Sequence, residues 1–245
     1  MQRTLTFTIA LASLLAGAAP AQQTSLRFKV GWWPDGVIAG AGGVASLLPV
    51  LWPNHFAHAT CSPCDPSNLW GIDRGSAGPV RNAANAFSYG TSAAETGLGL
   101  LFLGMSRRGE GSSAFWEDAA VVTQAVSVTA AATMALKVLL HRPRPLMYVP
   151  GPVTPDDGRG FPSSHTSISF AVASAYASIL SRRGIAGQHK LEIATLLAVA
   201  ATTGVLRVVA REHFPTDVVA GAVLGLGVGW IVPKLHATLR RTGSN

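Results

Sequence analysis

Beyond residue 90 the apolar residues of this chain gather in blocks, near 91–106, 119–140, 165–181, 191–209 and 216–235. Each block is long enough for a helix, and none alternates with the period of two that marks a half-buried strand. Short polar segments divide them at Arg107–Asp118, His141–Ser164, Arg182–Lys190 and Ala210–Pro215. Residues 22–90 have a different texture, rich in Gly, Pro, Trp and Asn. Pro53, Pro63, Pro66 and Pro79 punctuate that segment, and one apolar helix is expected near 37–51. The pattern predicts an all-α helical bundle whose polar clusters sit at helix ends. No internal repeat or low-complexity tract interrupts it.

The chain opens on Arg3, an apolar run from Leu5 to Ala18, and Ala19-Pro20-Ala21. That order is the pattern of a secretory signal, with cleavage expected after Ala21. The expected division is then a signal over 1–21, an exported segment over 22–90, a catalytic helical domain over 91–235 and a basic tail over 236–245. An exported chain meets oxidants, which favours a disulfide between its two cysteines, Cys61 and Cys64. Two other readings stand beside it. The pair could be redox-active thiols, or it could join His55 and His58 as metal ligands, since the four residues are spaced by three.

Composition moves the bundle toward a membrane. The 245 residues are 48% hydrophobic and 13% charged, against a charged share of roughly 25% in soluble domains. The mean hydropathy is +0.32. This excludes a disordered chain, a coiled coil and a collagen-like fibre. A span needs about 20 mainly apolar residues. The 119–140 block has that length with several Thr and Ser, and the 91–106 block contains Glu95. Five crossings with residues 22–90 outside would put Arg107, Arg108, Arg182, Arg183, Lys190, Lys234, Arg240 and Arg241 inside, as the positive-inside rule asks. That parity holds only if 37–51 does not cross. If it crosses, the leader stays attached or the active face turns inward. A soluble or peripheral helical domain is the alternative. The net charge of +7 suits nucleic acid, anionic lipid or a phosphate ligand alike.

Three polar clusters carry the candidate chemistry. Lys137-x6-Arg144-Pro145 closes the 119–140 block; alone it reads as a stop-transfer cluster with a turn, and in company as two cations aimed at one anion. Pro162-Ser163-Ser164-His165 opens the next helix. A Ser there is an ordinary N-cap, yet a helix N-terminus with two hydroxyls and an imidazole also makes a phosphate cradle. Arg207-x5-His213-x3-Asp217 straddles the start of the last helix, where Asp217 can reach back to His213 and fix its tautomer. Cations, a nucleophile and a proton donor are what phosphoryl transfer requires. Polar groups of this kind are costly near a membrane unless they have a function.

These residues resemble the type 2 phosphatidic acid phosphatase (PAP2) superfamily, which includes bacterial class A acid phosphatases and vanadium haloperoxidases. Its motifs run Lys-x6-Arg-Pro, Pro-Ser-Gly-His and Ser-Arg-x5-His-x3-Asp, and the likeness covers roughly residues 90–235. Ser164 stands where the family has Gly, and Leu206 where it has Ser before Arg207. The resemblance implies that His213 attacks phosphorus, oriented by Asp217, and that His165 protonates the leaving oxygen and then activates water. It implies that Lys137, Arg144, Arg207, Ser163 and the Ser164 amide bind the phosphate oxygens, and that no metal or cofactor takes part. His141 and Arg142 are neighbours that could touch a headgroup. Glu212 reads as solvated surface, and Asp156 and Asp157 as a solvated turn.

The expected activity is metal-independent hydrolysis of a phosphomonoester or diphosphate, on a lipid of the phosphatidate or polyprenyl diphosphate type. The expected place is an inner membrane, with the active site facing the periplasm. A soluble periplasmic acid phosphatase of broad specificity is the second reading. A haloperoxidase, holding vanadate in the phosphate site, is the third, and a non-enzymatic helical scaffold the fourth. Nucleic acid is not an expected partner.

Overall fold

The computed structural model describes residues 26–56, 61–109 and 111–239. The expected signal over residues 1–21 lies outside them, as does His58. Eight helices run α1 (Trp32–Leu51), α2 (Pro53–Phe56), α3 (Gly71–Arg74), α4 (Asn82–Ser106), α5 (Ser112–Leu140), α6 (Ser164–Arg182), α7 (Lys190–Val209) and α8 (Pro215–His236). Six are long, and they alternate in direction. α4 and α6 run parallel, with Tyr89 on His165 near one end and Gly99 against Val172 further down. α7 returns antiparallel, with Arg207 on Ser88 and Thr203 on Thr91.

The all-α expectation holds for the bundle, and one small element was not foreseen. Leu26–Phe28 (β1) pairs antiparallel with Ala237–Leu239 (β2), which ties the start of the described chain to the end of α8. The described part of the segment expected over 22–90 packs with the bundle. It supplies a strand, a long helix on α5, and the first turns of α4.

α6 is the central helix, and its closest partner is α8. The sequence explains the closeness. Gly221, Gly225 and Gly229 recur every fourth residue on α8, which places them on one face. A methyl group on Gly225 would lie 2.1 Å from the Ser167 carbonyl oxygen, and one on Gly229 would lie 2.5 Å from that of Ala171. Small residues let two backbones meet where lipid offers no hydrophobic drive between helices. Ser174 and Ser178 then donate across the contact to the carbonyls of Leu226 and Trp230, at 2.8 and 3.0 Å. α5 joins through Thr133 and Ser167, whose hydroxyls are 2.8 Å apart.

Among the described residues, four stretches are long and apolar enough to cross a membrane: α1, the α5 stretch as far as Tyr148, α7 and α8. α1 bears on the question that the sequence left open about 37–51, being long and apolar enough to cross. It is bracketed by the exposed Trp32, Trp33 and Trp52, and its 20 residues span about 30 Å, the thickness of the hydrocarbon layer. Trp at both ends of an apolar helix is the signature of the two interfaces. The chain is a membrane-embedded helical bundle. Both strands of the ribbon lie at one face of the bundle.

Candidate phosphate site

All three motif clusters meet at the face opposite the ribbon. The segment 61–81 covers that face and is pinned to it. Cys61 and Cys64 are joined as a disulfide, which disposes of the free-thiol and two-cysteine metal readings, and the Cys64 amide donates to the Met147 carbonyl at 2.7 Å. Further along, the Gly78 and Arg81 amides donate to the carbonyls of Pro145 and Ala210.

His213 lies in the turn between α7 and α8. The turn forms because Arg211 takes a left-handed φ of 58°, which lets the amides of Glu212 and His213 both reach the Arg207 carbonyl. Pro215 then starts α8, where its missing N–H costs nothing. Asp217 accepts the Phe214 amide at 2.8 Å and so caps the helix. The nearest acceptor for His213 is a surprise. Its Nδ1 is 2.7 Å from the Gly160 carbonyl oxygen, whereas the Asp217 carboxylate stands at 3.6 Å, beyond hydrogen-bond reach. The neutral ring therefore carries its proton on Nδ1, held by a main-chain carbonyl, and presents Nε2. Gly160 can do this because it has no side chain. A methyl group there would lie 3.0 Å from the Arg142 carbonyl, to which the Gly160 amide also donates at 2.6 Å.

Cations surround the ring. Lys137, in the last turn of α5, is buried and donates to the Arg159 carbonyl at 2.7 Å. Arg144 follows the Pro-flanked exit from α5 and donates to Glu212 at 2.5 Å and to Asp156 at 2.6 Å. Arg207, near the end of α7, donates to Asn85 at 2.6 Å, Ser88 at 3.1 Å and Glu212 at 3.3 Å. The Nε–H groups of Arg144 and Arg207 are buried and have no protein partner. A buried donor left unpaired costs about 1–3 kcal/mol, so these two are poised for an acceptor from outside. Burial, then the positive charges of Lys137, Arg144 and Arg207, hold the His213 imidazole well below its ordinary pKa of 6.5.

α6 contributes the second motif. Ser163 is buried; its amide donates to the Asp217 carbonyl at 3.0 Å, and its hydroxyl oxygen accepts from Thr166 at 2.9 Å. The Ser163 hydroxyl proton remains for another acceptor. Ser164 begins the helix, where the first amides have no intrahelical partner. His165 is half-buried and meets Tyr89 edge to face, ring centres 4.6 Å apart. Every motif residue singled out from the sequence thus lies at this one end.

Several expectations are corrected. Glu212 is not solvated surface. It is buried, and its carboxylate bridges Arg144 and Arg207 while also accepting from Asn85 at 2.8 Å. Asp156 and Asp157 are not a loose turn. Asp156 pairs with Arg144 and Arg159, and Asp157 accepts the Thr154 amide and hydroxyl in a capping box. Arg142 does not reach for a headgroup. It lies between the Asp217 carboxylate at 2.5 Å and that of Asp73 at 2.7 Å. Burial works against the Asp156 anion, yet the guanidinium groups of Arg144 and Arg159 hold it below its usual range.

The sequence reading missed Asn85, Ser88 and Tyr89 of α4, and Asp73. The first three share one face at spacings of three and four, a polar stripe at the start of an otherwise apolar helix. Asp73 had no such signal. Among the described residues, no group of three or more His, Cys, Asp or Glu could hold a metal ion.

A family model described as the PAP2 superfamily matches residues 119–241, which contain all three clusters. No curated protein and no solved structure matches the chain.

Proposed function

The chain belongs to the PAP2 superfamily, and from that premise we propose that it is a metal-independent phosphatase acting on a phosphorylated membrane lipid. The observation that carries the reading is the pair of unpartnered Nε–H groups on Arg144 and Arg207 beside a neutral imidazole. Together with Lys137, the Ser163 hydroxyl and the first amides of α6, they offer donors for the three non-bridging oxygens of one phosphoryl group.

His213 Nε2 attacks phosphorus. The lone pair is available because Nδ1 keeps its proton toward Gly160. The bond to the leaving oxygen breaks as His165 delivers a proton to it. His165 then takes a proton from water, which attacks the phosphohistidine and returns His213 to its neutral state. Asp217 supports His213 from 3.6 Å and holds the start of α8.

A cavity of about 250 Å³ favours a lipid over a soluble ester. It opens between α4 and α5, which barely touch, and is lined by Gly99, Leu100, Leu103, Val122, Val126 and Val172 among others. Val172 is seven residues down α6 from His165, about 10 Å, and the rest of the lining lies deeper in the bundle, at the depth of alkyl chains. Lys29, Arg108, Arg182, Lys190 and Lys234 lie at the opposite face, as the positive-inside rule asks of the cytoplasmic side. The phosphate site would then face outward, and the described chain would start on the cytoplasmic side.

The test is phosphate release by detergent-purified protein with EDTA present, using phosphatidate, undecaprenyl diphosphate and para-nitrophenyl phosphate. Release by wild type that His213→Ala abolishes is the expected result, with a lipid preferred. Folded wild type that releases phosphate from none of the three would overturn the reading.

A further inference from the structure

Eight terminal guanidinium nitrogens meet at the site face, and each already donates to a protein acceptor. Arg142 serves Thr216, Asp217 and Asp73. Arg144 serves Glu212 and Asp156. Arg159 serves the Pro49 carbonyl and Asp156. Arg207 serves Asn85, Ser88 and Glu212. Beyond these contacts a ligand could use the Nε–H groups of Arg144, Arg159 and Arg207, the remaining N–H of the terminal nitrogens, the Lys137 ammonium, one hydroxyl and the amides that open α6.

Glu212 is the carboxylate that joins Arg144 to Arg207. Its Oε2 accepts from both Arg144 and Arg207, and Asn85 holds its Oε1. The carboxylate sits on the outer nitrogens of the two arginines as a second anionic group would. We propose that Glu212 is a specificity-determining residue: it occupies the place of a second phosphoryl group and restricts the site to phosphomonoesters. The inference rests on the phosphatase reading and chooses within it, against the diphosphate.

The physical ground is charge. A diphosphate brings further anionic oxygens next to the phosphoryl group under attack. Here they would meet a buried carboxylate, and like charges brought together at an interface repel. A monoester brings no second anionic group.

The experiment uses the full chain in detergent and two non-hydrolysable probes, methylphosphonate and methylenediphosphonate, with binding followed by titration calorimetry. Wild type is expected to bind the monophosphonate more tightly. Glu212→Gln removes the charge and is expected to narrow or reverse the gap by about tenfold, one factor of ten being a modest change in anion repulsion. Glu212→Asp keeps the charge and is expected to keep the order. Glu212→Ala, measured in the same way, serves if the Gln variant does not fold. A wild-type preference for the diphosphonate would overturn the proposal. So would an equal loss of both probes in the Glu212 variants, which is what a purely structural role gives. Turnover of a matched lipid monophosphate and diphosphate reads separately. If wild type hydrolyses neither, the phosphatase reading fails, while the binding order still judges the role of Glu212.

Discussion

Arg159 donates through Nη1 to the carbonyl oxygen of Pro49, 2.8 Å away. In an unbroken helix that carbonyl would accept the amide of residue 53. Residue 53 is Pro and has no N–H, so a guanidinium from the catalytic face fills the gap at the end of α1. The same Arg159 holds Asp156 with its other nitrogen and gives its carbonyl to Lys137. One buried side chain therefore joins the outer helix to the phosphate cradle. Arg159→Met should lower stability by about 1–3 kcal/mol, because a buried carbonyl and a carboxylate lose their donor. Thermal unfolding in detergent, compared with wild type, measures it. An unchanged midpoint would show that α1 is held by apolar packing alone.

Asp73 accepts from the Thr216 amide at 3.2 Å, the Thr216 hydroxyl at 2.7 Å and Arg142 at 2.7 Å. It thereby fixes the start of α8, two residues after His213. Asp73→Ala should lower kcat by about 100-fold, the scale of a small misplacement of a reacting group. KM should change little, since the cradle donors are untouched. Steady-state kinetics that show a raised KM with normal kcat would contradict this role.

The glycine face of α8 gives a matched pair of substitutions. Gly225→Ala would push a methyl group to 2.1 Å from the Ser167 carbonyl, whereas nothing lies within 4 Å of a methyl group on Gly227. The first should destabilise by about 1–3 kcal/mol through overpacking. The second should be neutral or slightly stabilising, as Ala is the better helix former. Denaturation of both variants in the same detergent separates them.

The depressed pKa of His213 has a sign that can be checked. The ring in the folded protein stays neutral as pH falls through 6.5, where an unfolded ring would take up a proton. The attacking form thus persists in mildly acidic solution, and the acid limb of kcat/KM that belongs to His213 should lie below 6.5. The same shift removes stability as pH falls, because below the ordinary value the unfolded chain binds more protons. Proton NMR titration of the imidazole, assigned with His213→Gln, reads the pKa directly; a midpoint at or above 6.5 would contradict the prediction.

The sequence made the helices and the three clusters legible because both rest on local signals. Apolar blocks announce their own length, and Lys137, Arg144, Arg207 and His213 stand at spacings that repeat a family's pattern. Glu212 and Asp156 were misread for the opposite reason. An acidic residue in a short polar segment is ordinarily solvated, and only the approach of Arg144 from the loop after α5 and of Arg207 from the end of α7 makes Glu212 a buried bridge. Asp73 was invisible because its partners lie about 70 and 140 residues further along. The contact of His213 with Gly160 was equally hidden, since a main-chain carbonyl leaves no trace in residue type. Helix α1 was seen but not placed: its apolar length was evident, while the exposure of the tryptophans at both of its ends was not.

The ribbon between Leu26–Phe28 and Ala237–Leu239 makes a topological statement that no single helix could. Two strands that exchange hydrogen bonds share a compartment, so the number of crossings between them is even whatever the orientation of the whole. The entry and exit of the bundle are clasped at one face, and His213 stands at the opposite one. Under the proposed function, the compartment of a reporter fused beyond the C-terminus would identify, by contrast, the side on which phosphate is released.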